Sequence, residues 1–214
     1  MFTPFRWQPL YGLLLLLLSG CSTLAPQSDS SSLASAALWA QNRPVLEAIQ
    51  HWSLEGRVAV HGDSDSAHFS LVWAQSPDAY QMTLIAPLGR GTATLTGDAS
   101  SVEMLLSDGS VARSTTADAL LAENYGWQVP VEGMKHWVLG LPAQGETKRL
   151  LLDKRGRLKY LEQAGWAIKF RQYQTFNGRS LPKKLYLKQG DWEVRLVIDH
   201  WSFEDGRTPL EKKT

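Results

Sequence analysis

The stretch Trp52-Ser53-Leu54-Glu55-Gly56-Arg57-Val58-Ala59-Val60 decides the fold. Trp52, Leu54, Val58 and Val60 share one parity, with Gly56 among them, while Ser53, Glu55, Arg57 and Ala59 take the other. A period of two puts the first set on one side of an extended chain, so this is a strand with one buried face. The same period returns in Ala67, Phe69, Leu71 and Trp73 and again in Tyr80, Met82 and Leu84, separated by the turn-forming Gly62-Asp63 and Pro77-Asp78. Short turns between such strands predict antiparallel neighbours. Thr94 to Thr96 and Val102 to Leu106 continue the meander.

Ahead of this strand, Ala36 to Gln50 carries Leu38, Trp39, Val45, Leu46 and Ile49 at roughly helical spacing, which predicts an amphipathic first helix. Further on, Thr115 and Asp118 have capping-box spacing before Leu120, Leu121 and Ala122, and Gly126 can stop that helix. Another helix is predicted from near Pro130, with Met134, Trp137, Val138 and Leu141 on one face and Pro142 as its end. Strand periodicity then resumes over Leu158 to Glu162, Trp166 to Phe170, Leu185 to Leu187 and Trp192 to Ile198. Strands, helices and strands in that order predict an α+β domain: one long antiparallel sheet with the helices gathered on one face. Because strands twist, so long a sheet coils toward a partly closed barrel.

The chain has 214 residues, 43% of them hydrophobic, which suits one well-filled domain and excludes disorder as its main state. A formal net charge of +1 leaves no large basic surface for a phosphate backbone, so nucleic acid is not an expected partner. The single cysteine, Cys21, can form neither an internal disulfide nor a cysteine-based zinc cluster.

Its neighbours explain that cysteine. Residues 1–20 hold one charge, Arg6, then the apolar run Leu13 to Leu18 and the small pair Ser19-Gly20, which is the pattern of a secretory signal. The apolar run is too short to span a bilayer, which takes about 20 residues. Leu18-Ser19-Gly20-Cys21 resembles a bacterial lipobox, which implies cleavage before Cys21 and acylation of that residue. Several acyl chains on one cysteine make an anchor that is effectively permanent. Ser22 stands where, by the same resemblance, aspartate would imply inner-membrane retention, so the outer membrane is expected, with the protein facing the periplasm. Residues 21–35 are rich in Ser, Ala, Pro and Gln and are expected to form a flexible tether to a single domain over 36–202.

Catalytic chemistry is sparse. No helical histidine pair, serine elbow, phosphate loop or dinucleotide fingerprint is present, and no cofactor or metal is expected. His61 and His68 flank Asp63 and Asp65, which reads as a polar hairpin turn ahead of a metal site. Gly62-Asp63-Ser64 resembles a motif of some lipid esterases, with Ser64 as nucleophile, but its sequel is missing. Asp199 and His200 are strand neighbours pointing to opposite faces, so neither orients the other.

Two features remain for function. Of nine tryptophans only Trp7 precedes Cys21, and Trp52, Leu54, Phe69, Trp73, Met82, Trp166 and Trp192 lie on inward parities. They form either ordinary core or the lining of an apolar cavity. The second feature is Ile85-Ala86-Pro87-Leu88-Gly89-Arg90-Gly91, a turn by its Pro and Gly content with a large leucine in its middle. Spacing leaves open whether Leu88 projects or folds back on the core.

Taken together, the lipobox, Trp52 to Arg57, Trp73-Ala74-Gln75, Pro87-Leu88-Gly89, Pro130-Val131, Trp137-Val138-Leu139-Gly140-Leu141-Pro142, Gln163-Ala164-Gly165-Trp166, Leu181-Pro182 and Trp201 resemble the LolB family, outer-membrane receptors for lipoproteins. The resemblance runs from the signal to about Trp201 and leaves out the charged tail 203–214, which is expected to be disordered. It implies an unclosed β-barrel with helices covering its concave face, and a monomer whose apolar cavity takes the acyl chains of lipoproteins from the soluble periplasmic carrier LolA. It implies further that Leu88, between Pro87 and Gly89, protrudes and helps pass the cargo into outer-membrane lipid, with no enzyme chemistry. A lipid-anchored esterase-like enzyme and a purely structural tethering lipoprotein are the alternatives.

Overall fold

The computed structural model describes residues 30–62 and 66–203. The signal, Cys21, the first part of the tether, Asp63 to Asp65 with the serine of the esterase reading, and the tail from 204 onward lie outside the described residues.

Helix α1 (Ser30–Glu47) leads into strands β1 (Trp52–His61), β2 (Ser66–Gln75), β3 (Ala79–Ile85), β4 (Thr92–Asp98), β5 (Val102–Leu106) and β6 (Val111–Ser114). Helices α2 (Ala117–Tyr125) and α3 (Val131–Trp137) follow, then β7 (Thr147–Leu152), β8 (Leu158–Gln163), β9 (Trp166–Phe176), β10 (Arg179–Gln189) and β11 (Trp192–Phe203). The strands make one 11-stranded sheet in the order β6-β5-β4-β3-β2-β1-β11-β10-β9-β8-β7. Every neighbouring pair is antiparallel. The sheet is an unclosed barrel of two meanders joined where the first strand meets the last, with β6 and β7 left as edges.

The joint requires a glycine. The β1–β11 register slips between Glu55 and Gly56, and a Cβ on Gly56 would run into the Val197 carbonyl oxygen. On the outer face beside this bulge, Arg57 donates from Nε and Nη2 to the Asp199 carboxylate at 3.0 and 2.9 Å.

Buried side chains of the sheet and of α2 and α3 form one apolar core. Thr116 Oγ1 caps α2 by accepting from Ala119 N at 3.1 Å, and Gly126 closes the helix in the left-handed conformation with φ 70°. The cap is therefore one residue later than the Thr115–Asp118 spacing predicts. Asp118 instead accepts from Glu132 N at 3.3 Å, tying α2 to the start of α3. From α3, Val131 and Met134 face β1 to β3, whereas Trp137 bonds to Gln163 in β8. This helix therefore connects both halves of the sheet.

Three expectations need correction. Helix α1 starts at Ser30, so the last part of the expected tether is helical, because an Ala-rich run with Leu33 propagates a helix despite its serines. Its apolar face is narrower than predicted: Leu38 and Val45 are exposed, and Trp39 and Leu46 make the contact. The helix backbone at Leu38 and Trp39 rests on Gly156, where a Cβ would come within 2.6 Å of Trp39 N. The tail begins later than 203, since Phe203 is the last residue of β11 and stacks on Trp201 at 5.6 Å. Strands β6 and β7 were not predicted. As edges, each is held from one side only and shows a weak alternation.

Candidate functional site

Across β1, β2 and β3 the inward residues stack in rows. From the end of the sheet nearest the 86–91 loop these are Val58 opposite Phe69, then Gly56, Leu71 and Leu84, then Leu54, Trp73 and Met82, then Trp52, Gln75 and Tyr80. The loop position follows from register, because Ser70 pairs with Ile85, the last residue of β3. Over the first three rows lies a roof made by Leu121 of α2, Trp127 and Val129 of the connection, and Val131 and Met134 of α3. Between roof and sheet is an entirely apolar cavity of about 30 Å³. That is roughly the volume of one water molecule. An acyl chain needs many times more, so the roof must part from the sheet to admit one.

The seven inward residues of the sequence set separate. Phe69, Trp73 and Met82 line the cavity. Leu54 is packed solid beside Trp73. Trp52 lies one row further, its ring 5.1 Å from Trp73 and 5.4 Å from Trp201. Trp166 opens β9 in the other half of the sheet and lines a groove with Gln144 and Gly145. Trp192 covers Gly62, where a Cβ would press on its ring at 2.7 Å. Parity assigns a face but not a position along the sheet, which is why Trp52, Leu54, Trp166 and Trp192 fall outside this cavity. Sequence reasoning also missed Trp127 and Val129, since a connection between helices has no period to betray its inward side chains.

Trp127 is the keystone of the cavity's loop-side end. Its ring lies 5.4 Å from Phe69 on the sheet and stacks on Tyr125 at 4.7 Å and 20°. Tyr125 is partly in solvent, so this aromatic row runs from the cavity to the surface. Burial pushes the Tyr125 hydroxyl above the ordinary tyrosine range.

The loop beyond resolves the question of Leu88. Pro87–Gly89 forms a single 3-10 turn, closed by Arg90 N donating to the Pro87 carbonyl and by Ala86 N donating to the Gly91 carbonyl. Leu88 is 91% exposed and sits at φ 58°, ψ 29°, the left-handed region. A leucine there costs about 1–2 kcal/mol. Strain and exposure together hold a large apolar side chain away from the core. Ile85 at the base of the loop is also exposed.

Among the described residues, the remaining titratable groups do not assemble into catalytic machinery. His61 Nδ1 lies 2.8 Å from Ser66 Oγ, and its ring is edge-on to His68 at 5.5 Å. Among the described residues no three metal-binding side chains cluster. Asp199 is engaged by Arg57, whose hydrogen bond holds its carboxyl below the ordinary range. Burial depresses the His136 imidazole, with Lys135 adding to the effect.

This architecture matches known proteins. The family profile described as "Outer membrane lipoprotein LolB" matches residues 50–201. Outer-membrane lipoprotein LolB of Pseudomonas aeruginosa (strain LESB58) is 37% identical over 187 residues, 87% of this chain and 91% of that protein. The protein of the same name from Pseudomonas fluorescens (strain Pf0-1) is 35% identical over 185 residues, 86% of this chain and 90% of its own. Among solved structures, a LolA superfamily protein from Nitrosomonas europaea shares the fold, with a TM-score of 0.52 at 8% identity over 80% of this chain and 94% of that one. With the profile covering most of the chain and full-length relatives above one-third identity, the protein belongs to the LolB family of outer-membrane lipoproteins.

Proposed function

We propose that this protein, anchored through acylated Cys21, receives lipoproteins from the soluble carrier LolA and releases them into the outer membrane. Their acyl chains would pass through the cavity between the roof and β1 to β3. The observation that carries this reading is the pairing of an all-apolar cavity with a leucine held out beyond the same end of the sheet.

The task is one of transfer, not of bond making. At about 0.8 kcal/mol per methylene, a chain of lipid length does not cross water bare on a useful timescale. It needs an apolar path, toward which the cavity and the Phe69–Trp127–Tyr125 row lead, with Leu88 exposed beyond the same end of the sheet. A roof of short helices on a rigid sheet suits a site that must open for cargo and close without it. Leu88 dips into lipid and lowers the barrier to exit.

The test separates the two steps. In Leu88→Glu, cargo is still accepted from the carrier, while insertion into liposomes falls at least tenfold. Normal insertion by this variant would remove the loop from the mechanism. Depletion in cells is expected to leave lipoproteins bound to the periplasmic carrier, and their normal arrival in the outer membrane would reject the receptor role.

A further inference from the structure

In the two adjacent rows where the cavity lining gives way to the far end of β2 and β3 stand two buried hydrogen-bond donors without a partner. Trp73 is 1% exposed and Tyr80 is 9% exposed, and neither Trp73 Nε1 nor the Tyr80 hydroxyl has a hydrogen-bond partner among the described residues. They are neighbours on one face: Trp73 pairs with Met82 and Tyr80 with Gln75, so the two are diagonal across β2 and β3. Trp73 lines the apolar cavity, and Tyr80, one row beyond, lines a second pocket of about 310 Å³ at the far end of these strands with Trp52 and Gln75.

Native interiors seldom leave such atoms unpaired, because desolvation without a bond is costly. Gln75 Oε1, opposite Tyr80, and Trp201 Nε1 are likewise without a partner among the described residues, so the unsatisfied groups gather at this end of the sheet. Gln163, in the other half of the core, has both ends of its amide fully bonded. Room for the phenol is also built in, since a Cβ on Gly97 would come within 2.6 Å of the Tyr80 ring. Gln75, opposite Tyr80, turns its amide nitrogen to the Ser76 carbonyl at 2.6 Å and leaves the hydroxyl alone. Burial, with Glu132, Asp118 and Asp98 nearby, drives the Tyr80 pKa far above the ordinary range, so the group remains an O–H donor.

We propose that Trp73 Nε1–H and Tyr80 O–H are the polar end of the acyl-chain site and receive the ester carbonyls that head the acyl chains of a bound lipid. The inference rests on the acyl-chain reading above. Apolar contact alone grips a chain anywhere along its length. Two fixed donors at one end of an apolar cavity set its depth and distinguish an acyl ester from a bare alkyl chain.

The full mature chain, made water-soluble by Cys21→Ala, is titrated with a lipopeptide carrying two ester-linked chains and with its ether-linked analogue, which lacks the carbonyls. The ester form is expected to bind about three- to tenfold tighter, and Tyr80→Phe, which leaves Trp73 Nε1–H as one remaining donor, to reduce that preference without weakening ether binding. The 15N-indole signal of Trp73 should shift with the ester ligand and not with the ether. Tyr80→Phe loses an unpaired hydroxyl and is expected to fold as stably as the parent. Equal binding of both ligands by the parent, or equal losses for both in the variant, overturns the donor role and leaves the acyl-chain site standing. Failure of both ligands to bind the parent overturns the acyl-chain site itself.

Discussion

Trp137 Nε1 donates to Gln163 Oε1 at 3.0 Å, and this buried bond ties the end of α3 to β8. Gln163 is 3% exposed and its amide is saturated: Oε1 also accepts from Ala143 N at 2.8 Å, and Nε2 donates to the Ala143 carbonyl at 2.9 Å and to Thr147 Oγ1 at 3.2 Å. Replacement by leucine keeps the volume and strands an indole N–H and both backbone groups of Ala143. Gln163→Leu is expected to lower unfolding free energy by about 3 kcal/mol, read by urea denaturation. A loss under about 1 kcal/mol would show that the roof is not fastened there.

The same contact explains motifs that look unrelated in the sequence. After Trp137 the chain reverses through Gly140 at φ 78°, where a Cβ would touch the Pro182 ring at 3.4 Å. The Trp137-to-Pro142, Gln163-to-Trp166 and Leu181-Pro182 segments thus meet at one clasp between helix and sheet. The sheet itself was legible because Trp52 to Val60 and its successors alternate cleanly when one face is buried. The cavity was legible only in part. Phe69, Trp73 and Met82 carry the period of their strands, whereas Trp127 gets its place from the clasp and the caps around it. Leu88 was visible as a residue type in a turn, but its exposure depends on a left-handed backbone that no spacing encodes.

That backbone yields a second prediction. Leu88→Gly removes the side chain and relieves the left-handed strain, partly offset by the greater freedom of glycine in the unfolded chain. Thermal stability should be unchanged or higher by up to about 1 kcal/mol, while cargo insertion into liposomes falls as in Leu88→Glu. Stability and activity thereby move in opposite directions at one residue. A Leu88→Gly protein that inserts cargo normally would show that loop shape, not the leucine side chain, is what matters.

Asp118 offers a test by pH. Burial is the largest influence on its carboxyl and raises it above the ordinary range, against the hydrogen bond from Glu132 N. A raised acid favours folding below its unfolded pKa and loses that advantage as pH rises through its folded value. At neutral pH the charged form is a burden, so Asp118→Asn should melt higher than the parent. The gap should close as the pH falls below the ordinary aspartate range, where both side chains are neutral. A gap that persists in acid would assign the effect to packing.

On the proposed acyl-chain reading the roof has to part from the sheet, and Trp127 is where that motion can be provoked. Its side chain bridges Phe69 on the sheet to Tyr125 on the surface, so it both seals the loop-side end of the cavity and holds the connection between α2 and α3 down. Trp127→Ala removes that bridge at a stability cost of about 3 kcal/mol, near the lower limit for an aromatic truncated in a core because the ring is only partly buried. If opening limits entry, a fluorescent acyl probe should enter the variant at least several times faster than the parent while its equilibrium binding weakens. The two effects have one origin: the lost ring contacts stabilised the closed roof and would also have lined the filled site. Stopped-flow association separates them. An entry rate unchanged by the substitution would place the opening elsewhere, at the far pocket beside Trp52 and Tyr80.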